Sequence, residues 1–491
     1  METLLQNPLV VAASCVVLIL LTILYRALTN PLRSLPGPWY STFTRLPLKA
    51  AIMSGRRVFH VHALHQKYGA VVRISPDEVA VSNREGLAQI HRIGGAFRKT
   101  EWYHELTAQG DGRYSIFTMT DPKEHAARRR LLARPFSKTF LNQHWHGTVR
   151  ELTRMAVRRM GEAAKEDGGK VDVMQWWTFM TMDVAGRLMF GHSFDNLERG
   201  TVSDFMRVVT TRLIVTGISV ELPWIKAIAG VLTLLPVPAL RNMFSPNDAL
   251  YEHGRKFLHS IQASESSSNI FSNIATEAEK GEKLWMDDVH LEASGLIIAG
   301  TDTTSTTLTY LTWAVLSRPT LQRDLEQEVS QLPGDYTDTD LEKLPLLNAV
   351  IEESLRLYGA APSGLPRAVP PGGTSIAGHF INAGTTVTTQ AYTYHRDASL
   401  FPDPDEFLPS RWLHDGISAE AKKAFHPFGA GARTCVGLHL AYMELRLASA
   451  EFFRQCKGAR LAESATEEAM EMENYFLVVP RGHKCEVLLG A

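Results

Sequence analysis

Cysteine is scarce in this chain: four in 491 residues, at Cys15, Cys435, Cys456 and Cys485. They stand far apart or in unlike settings, which argues against a disulfide framework and for a reducing compartment around the body of the protein. An excess of positive charge is missing too. Lys and Arg number 51 against 52 Asp and Glu, a formal net charge of −1, whereas nucleic-acid binding ordinarily shows a basic surplus. The 18 histidines contain no HExxH or comparable pairing of a zinc enzyme. No G-x-G-x-x-G follows a strand-like run, so no nicotinamide or flavin motif stands in the chain. Internal repeats and low-complexity tracts are absent as well. What remains is an ordinary globular composition, 45% hydrophobic and 21% charged, long enough to bury a large core.

One run departs from that average. Leu9 to Tyr25 carries no charge, and at about 1.5 Å per helical residue it nearly crosses a hydrocarbon core of about 30 Å. A cleaved signal peptide is the competing reading. Against it, Glu2 precedes the run with no Lys or Arg, and no A-x-A cleavage site follows. Arg26 and Arg33 lie just beyond, which by the positive-inside tendency sets the following body in the cytosol. Residues 1–28 therefore read as a membrane anchor, 29–38 as a proline-rich hinge, and 39–491 as the main domain. The hinge holds Asn30-Pro31 and Leu35-Pro36-Gly37-Pro38, where proline stops a helix and restricts its predecessor.

Along the body, Ala70–Ser75 and Glu78–Ser82 read as two short strands around a Ser75-Pro76-Asp77 turn. Thr374–His379 and Gly384–Thr389 read as another small sheet. Most of the interior from about Glu124 to Tyr358 reads as helix, and Ala263–Asn269 as a surface loop. Leu213–Phe244 is unusually apolar and broken by Pro223, Pro236 and Pro238. It reads either as a pair of core helices or as a hydrophobic flap resting on a membrane. Arg128, Arg129, Arg130, Arg134 and Lys138 concentrate positive charge on a short helix, a solvated face or a place to hold an anion or an acidic partner.

The chemistry concentrates in Phe428-Gly429-Ala430-Gly431-Ala432-Arg433-Thr434-Cys435-Val436-Gly437. A cysteine thiolate is a strong donor to haem iron and favours O–O cleavage. Gly429 and Gly431 allow a tight loop, and Gly437 lets backbone approach a flat ring. Arg433 is placed to neutralise a haem propionate. Leu438–Phe453 reads as a helix, so Cys435 stands near a helix N-terminus, where the dipole favours thiolate. The alternatives are a buried structural cysteine, or a zinc ligand with His439, although no further ligand is suitably spaced.

This loop resembles the haem-binding loop of the cytochrome P450 superfamily, and three further motifs of that family stand in order. Glu353-Ser354-Leu355-Arg356 resembles its E-x-x-R, and Arg411 matches the third member of its structural Glu-Arg-Arg cluster. Ser410 departs from the acidic residue usual there. Ala299-Gly300-Thr301-Asp302-Thr303-Thr304 resembles the oxygen-activating helix motif. By that resemblance Thr303 hydrogen-bonds iron-bound dioxygen and Asp302 feeds protons from solvent. From the residues alone, these threonines simply bond back to helix carbonyls, and Gly300 marks a bulge or a ligand's approach. His125-Ala126-Ala127-Arg128-Arg129 resembles W-x-x-x-R with histidine in the tryptophan position. The resemblance gives His125, Arg129 and Arg367 contacts to haem propionates.

The fold implied is mainly α with small β-sheets, a cytochrome P450 fold preceded by one N-terminal transmembrane helix. The implied cofactor is haem b, with O2 as co-substrate and electrons from NADPH through a separate reductase. NADPH–cytochrome P450 reductase is the expected partner, docking on a basic face that includes Arg128 and Arg134, with cytochrome b5 as a second donor. Pocket walls are expected from Phe97–Phe117, Leu213–Phe244, Ile297–Thr304, Ala360–Leu365 and Asn474–Phe476, mainly apolar and suited to a lipophilic small molecule. The resemblance is closest to fungal monooxygenases of secondary metabolism acting on a terpenoid or polyketide-derived scaffold. Hydroxylation of a fatty acid, sterol or aromatic acid is the competing reading, as is an isomerase or dehydratase of the same fold that needs no external electrons. The implied location is the endoplasmic reticulum membrane.

Overall fold

The computed structural model describes residues 8–106, 112–202, 220–222, 269–270, 286–414 and 416–490. Leu213–Phe244 and the Ala263–Asn269 loop lie almost wholly outside the described residues. The chain divides into two compact units, Met1–Thr100 with Ser363–Tyr394, and Glu101–Pro362 with His395–Ala491.

The first unit opens with helix α1 (Pro8–Thr29), in which Ala27 alone is buried. Its 22 residues span about 33 Å. Among the described residues it is the one helix long and apolar enough to cross a membrane. The proline-rich segment after it is docked by side-chain hydrogen bonds. Asn30 caps the turn Pro31–Ser34 by accepting from the Leu32 N–H, and its amide donates to the Pro76 carbonyl. The buried guanidinium of Arg73 donates to the carbonyls of Leu32, Arg33, Leu35 and Pro38. A Cβ at Gly37 would lie 2.5 Å from the Arg73 carbonyl oxygen, so glycine is required for this close approach.

Helices α2 (Leu46–Met53) and α3 (Arg57–Tyr68) precede strands β1 (Val71–Ser75), β2 (Glu78–Val81) and β3 (Arg98–Lys99). Later come β4 (Arg367–Ala368), β5 (Thr374–Ile376), β6 (His379–Ile381) and β7 (Thr386–Thr388). One sheet runs in the order β1-β2-β7-β4-β3. Period-two alternation gives it two buried faces. Val71, Val79, Val81 and Val387 pack with Leu32 and Leu35, whereas Val72, Ile74 and Ala80 pack with Leu48, Ile52, Val61 and Leu64. The expected pairing of Thr374–His379 with Gly384–Thr389 is not found. β5 instead pairs with β6, and β7 joins β2 in parallel. The reason is the two-residue turn Ala377-Gly378, with φ of +47° and +82°, which closes a hairpin immediately.

The second unit is the helical one. It contains α4 (Pro122–Ala133), α5 (His146–Glu166), α6 (Val173–Phe190), α7 (Met286–Leu316), α8 (Pro345–Tyr358) and α9 (Leu438–Gln455). α6 is apolar nearly all round and correspondingly buried, packing against α7. Polar bonds lock the pair: Thr181 Oγ1 donates to the Thr301 carbonyl, and Trp177 Nε1 to Thr312 Oγ1. α7 also packs on α8 and α9.

Arg73→Ala should remove a donor from four carbonyls, two of which (Leu32 and Pro38) keep a backbone N–H partner, and cost about 2–4 kcal/mol. The expected readouts are a lower thermal midpoint and new tryptic cleavage at Arg33; unchanged cleavage would show that the segment is held by something else.

Candidate active site

In the Cys435 loop, Gly429 and Gly431 adopt φ of +74° and +68°, in the left-handed region. Those turns fold the backbone so that the Cys435 N–H donates to the Phe428 carbonyl at 2.9 Å. A short 3-10 turn over Gly431–Arg433 follows, and the chain then enters α9. The Cys435 sulfur therefore accepts from the N–H groups of Gly437 and Leu438 at the helix start. Burial raises the thiol pKa, while these two bonds and the Arg129 guanidinium pull it down. The sulfur is nevertheless accessible. A group both accessible and desolvated lies on the wall of an enclosed space and not on the outer surface.

That space suits a haem. A Cβ at Gly437 would stand only 3.8 Å from the sulfur, so glycine keeps room beside it. Among the described residues no group of three or more His, Cys, Asp or Glu could hold a metal. The zinc reading through His439 thus lacks its donors. A macrocycle that brings four nitrogens of its own would need only one axial donor from the protein, a demand that a lone cysteine at this position fits.

On α7, Ala299 is exposed and Asp302 and Thr303 are half-buried, although the turns that follow are almost wholly buried. Residues 299 and 303 share a helix face, so this open stripe faces a space within the fold. Thr303 Oγ1 donates to the Ala299 carbonyl at 2.7 Å, the back-bonding also seen at Thr301, Thr307, Thr309 and Thr312. With its proton so used, the Thr303 oxygen presents lone pairs to a ligand. Burial pushes the Asp302 carboxyl up to about 6. Gly300 turns elsewhere: a Cβ there would meet Ala185 on α6 at 3.9 Å, an ordinary packing contact.

The remaining expected site residues divide between the units. His125 is buried on α4, and Arg129 donates to the Thr434 carbonyl at 2.6 Å, beside the cysteine. Arg433 donates to the carbonyls of Met119 and Thr120. The Phe428 ring lies 5.3 Å from that of Tyr442. Arg367 is buried on β4 of the first unit. From the expected pocket walls, Phe117 and Phe476 come together with ring centroids 5.9 Å apart, beside Trp102 and Tyr103. The Val478 N–H donates to the Ala360 carbonyl.

Arg128 corrects the sequence reading. It is 9% exposed and paired with Glu292 and Asp288 of α7, so it belongs to no docking face. Its neighbours on a helix of this pitch point elsewhere, and Arg130 and Arg134 are exposed.

Glu353 is fully buried on α8, and its carboxylate is fully used. Arg356 meets it twice at 2.8 Å, Arg411 Nε at 2.9 Å, Trp412 Nε1 at 2.8 Å and the Leu408 N–H at 2.8 Å. Burial opposes its charge, but the hydrogen bonds and the Arg356 guanidinium outweigh it and hold the pKa below the usual 4.5. Arg356 also donates to the carbonyls of His395, Pro404 and Glu406. The exposed Ser410 takes no part.

Three contributors escaped sequence reading: Trp412, His395 and His426. His395 Nε2 accepts from the His426 N–H at 3.0 Å, so its proton sits on Nδ1, which faces the Arg356 carbonyl at 3.1 Å. Burial and His426 keep His395 neutral. His426 in turn accepts, through its carbonyl, the N–H of Gly429. The Glu353 cluster is thereby linked to the cysteine loop. No local pattern marks these histidines, because their partners lie 31 to 39 residues away in sequence.

A helical unit with one cysteine at a helix start and an acid–hydroxyl pair on a neighbouring long helix fits the class of haem-thiolate proteins. The sequence matches the Cytochrome P450 family over residues 36–487, and the chain belongs to that family as a P450 monooxygenase. It is 39% identical over 469 residues to cytochrome P450 monooxygenase stcB of Emericella nidulans, covering 94% of this chain and 89% of the relative. It is 37% identical over 492 residues to cytochrome P450 monooxygenase cypX of Dothistroma septosporum, covering 98% and 95%. With cytochrome P450 monooxygenase aflV of Aspergillus parasiticus the figures are 36% over 494 residues, 98% and 96%.

Glu353→Gln removes a buried charge from four donor residues and should cost about 3–5 kcal/mol. Because folding lowers the Glu353 pKa, its contribution is complete above the usual value and is lost as pH falls through the folded one. The wild-type thermal midpoint should therefore drop toward that of the variant in acid; parallel pH profiles would refute the assignment.

Proposed function

We propose that Cys435 is the axial ligand of a haem b and that the chain oxidises a lipophilic small molecule with O2. The observation that carries this is the accessible, desolvated sulfur held by two N–H groups at the start of α9. His125, Arg129 and Arg433 would hold the propionates, with Phe428, Gly429 and Gly437 shaping the loop around the ring. Haem, when bound, supplies reversible binding and reductive activation of dioxygen.

The protein's own part is proton management. Thr303, its hydroxyl proton given to Ala299, accepts a hydrogen bond on the open side of α7. Asp302, with a carboxyl near 6, exchanges protons readily near neutrality and would relay them from solvent. A paired acid and hydroxyl serve a reaction that consumes protons with dioxygen, which favours monooxygenation over isomerisation or dehydration. Electrons would come from NADPH through NADPH–cytochrome P450 reductase, with cytochrome b5 as a second donor. We place α1 in the endoplasmic reticulum membrane with the residues that follow it in the cytosol. Support comes from its length, its apolar surface and the Arg26–Arg33 flank. The fungal relatives and the apolar wall segments support tailoring of a secondary metabolite such as a terpenoid or polyketide-derived scaffold. Comparing the metabolites of a gene knockout with those of the parent strain would identify the substrate.

Cys435→Ser should abolish the thiolate-type spectrum of the reduced carbon monoxide complex; a retained spectrum would overturn the assignment. Asp302→Asn should keep that spectrum, slow turnover by about 100-fold and divert electrons to peroxide. Arg134→Glu should weaken coupling to the reductase by about fivefold, more at low salt, with haem content intact. Equal reductase dependence in variant and wild type would remove Arg134 from the docking face.

A further inference from the structure

Glu292 is buried near the start of α7, and its oxygens are used unequally. Oε1 accepts from Arg128 Nη1 at 2.6 Å and from the backbone N–H of Ile116 at 2.7 Å. Oε2 is buried without a hydrogen-bond partner. Burial pushes this carboxyl up to about 7, against the pull of Arg128. Asp288, one helical turn earlier, stands 3.5 Å from Arg128 Nη2. A buried, half-satisfied carboxylate is an expensive way to pack α4 on α7, since an apolar pair would do so at lower cost. What the charge adds is a directional hold on one backbone N–H.

Ile116 belongs to a short braced stretch. The Ser115 N–H donates to Thr118 Oγ1 at 2.9 Å, and the Met119 N–H to the Ser115 carbonyl at 2.8 Å. At its other end the carbonyls of Met119 and Thr120 receive Arg433 from the cysteine loop. The stretch is thus suspended between α7 and the neighbourhood of Cys435. Phe117, part-exposed, stands between the two anchors, with its ring 5.5 Å from Tyr103 and 5.9 Å from Phe476.

We infer that Glu292, held by Arg128, is a positioning residue for specificity: by pinning Ile116 it fixes Phe117 against Phe476 and so sets which ligand shapes reach the Cys435 site. Neither residue touches the reacting atoms. The inference rests on the reading of Cys435 as the haem ligand, and the test separates the two.

The holoenzyme is titrated with two imidazoles of different bulk, 1-phenylimidazole and clotrimazole, and binding is read from the Soret shift. Amide hydrogen exchange is followed in parallel. Glu292→Leu should change the affinity ratio of the two ligands by about tenfold and raise exchange across residues 112–120 by about tenfold. Glu292→Gln keeps an acceptor for Ile116 and should hold the ratio within about threefold of wild type. An unchanged ratio in Glu292→Leu with unchanged exchange overturns the inference. Should Glu292→Leu fail to fold, the exchange pattern of the paired variant Arg128→Met/Glu292→Leu, which leaves no unpaired buried charge, decides. A rise confined to residues 112–120 supports the positioning role, and a uniform rise over α4 and α7 overturns it. A wild-type protein without the thiolate-type carbon monoxide spectrum would count against Cys435 and leave the exchange result standing.

Discussion

The carboxylate of Glu353 gathers four donor residues: Arg356 on its own helix, and Leu408, Arg411 and Trp412 from one segment far along the chain. An ionised group so deep in the protein is tolerable only if every lone pair is used, and here each oxygen accepts at least two bonds. Its pairing then organises what lies around it. Arg356 spreads its remaining N–H groups over three carbonyls, which fixes the route of residues 395–406. The same route presents His395 to His426, and His426 to the loop that ends at Cys435. The position of Cys435 therefore depends on a carboxylate buried well away from it in sequence.

Buried charge recurs in the second unit with a different outcome. Glu353 is saturated with donors, and its pKa falls despite burial. Glu292 has Arg128 and one backbone N–H, and its pKa rises toward neutrality. Asp302 has burial as its cause of shift and rises likewise. Completeness of hydrogen bonding separates the group that holds the frame from groups that can exchange a proton. The first unit solves its own problem with a cation: Arg73 collects four carbonyls of the proline-interrupted segment Leu32–Pro38, whose chain cannot run on as a regular helix.

Much of this was legible in the linear chain wherever the chemistry sits in one short segment. Glycines at 429, 431 and 437 around Cys435 carry conformational meaning at fixed spacing, and the structure uses the first two in left-handed turns. Strands β1 and β2 follow from period-two alternation around Pro76-Asp77. The sheet formed by β7 was not legible, because strand partners are chosen by long-range packing, while the Ala377-Gly378 turn claimed β5 for β6. Composition alone likewise made Arg128 a surface charge. A helix turns 100° per residue, so adjacent arginines face opposite environments, and α7 supplied acids to one of them.

By itself the sequence determined the glycine-flanked cysteine loop, the acid–hydroxyl pair and the apolar α1, because each depends on residue type within a single turn or run. Only the tertiary structure decided that the cysteine faces an enclosed space, that Thr303 is set as an acceptor, and that residues 29–38 are bound to the sheet. It likewise decided that Arg128 serves Glu292. Those outcomes depend on which distant groups arrive to satisfy a buried charge or carbonyl, and desolvation, unlike spacing, has no local signature in the chain.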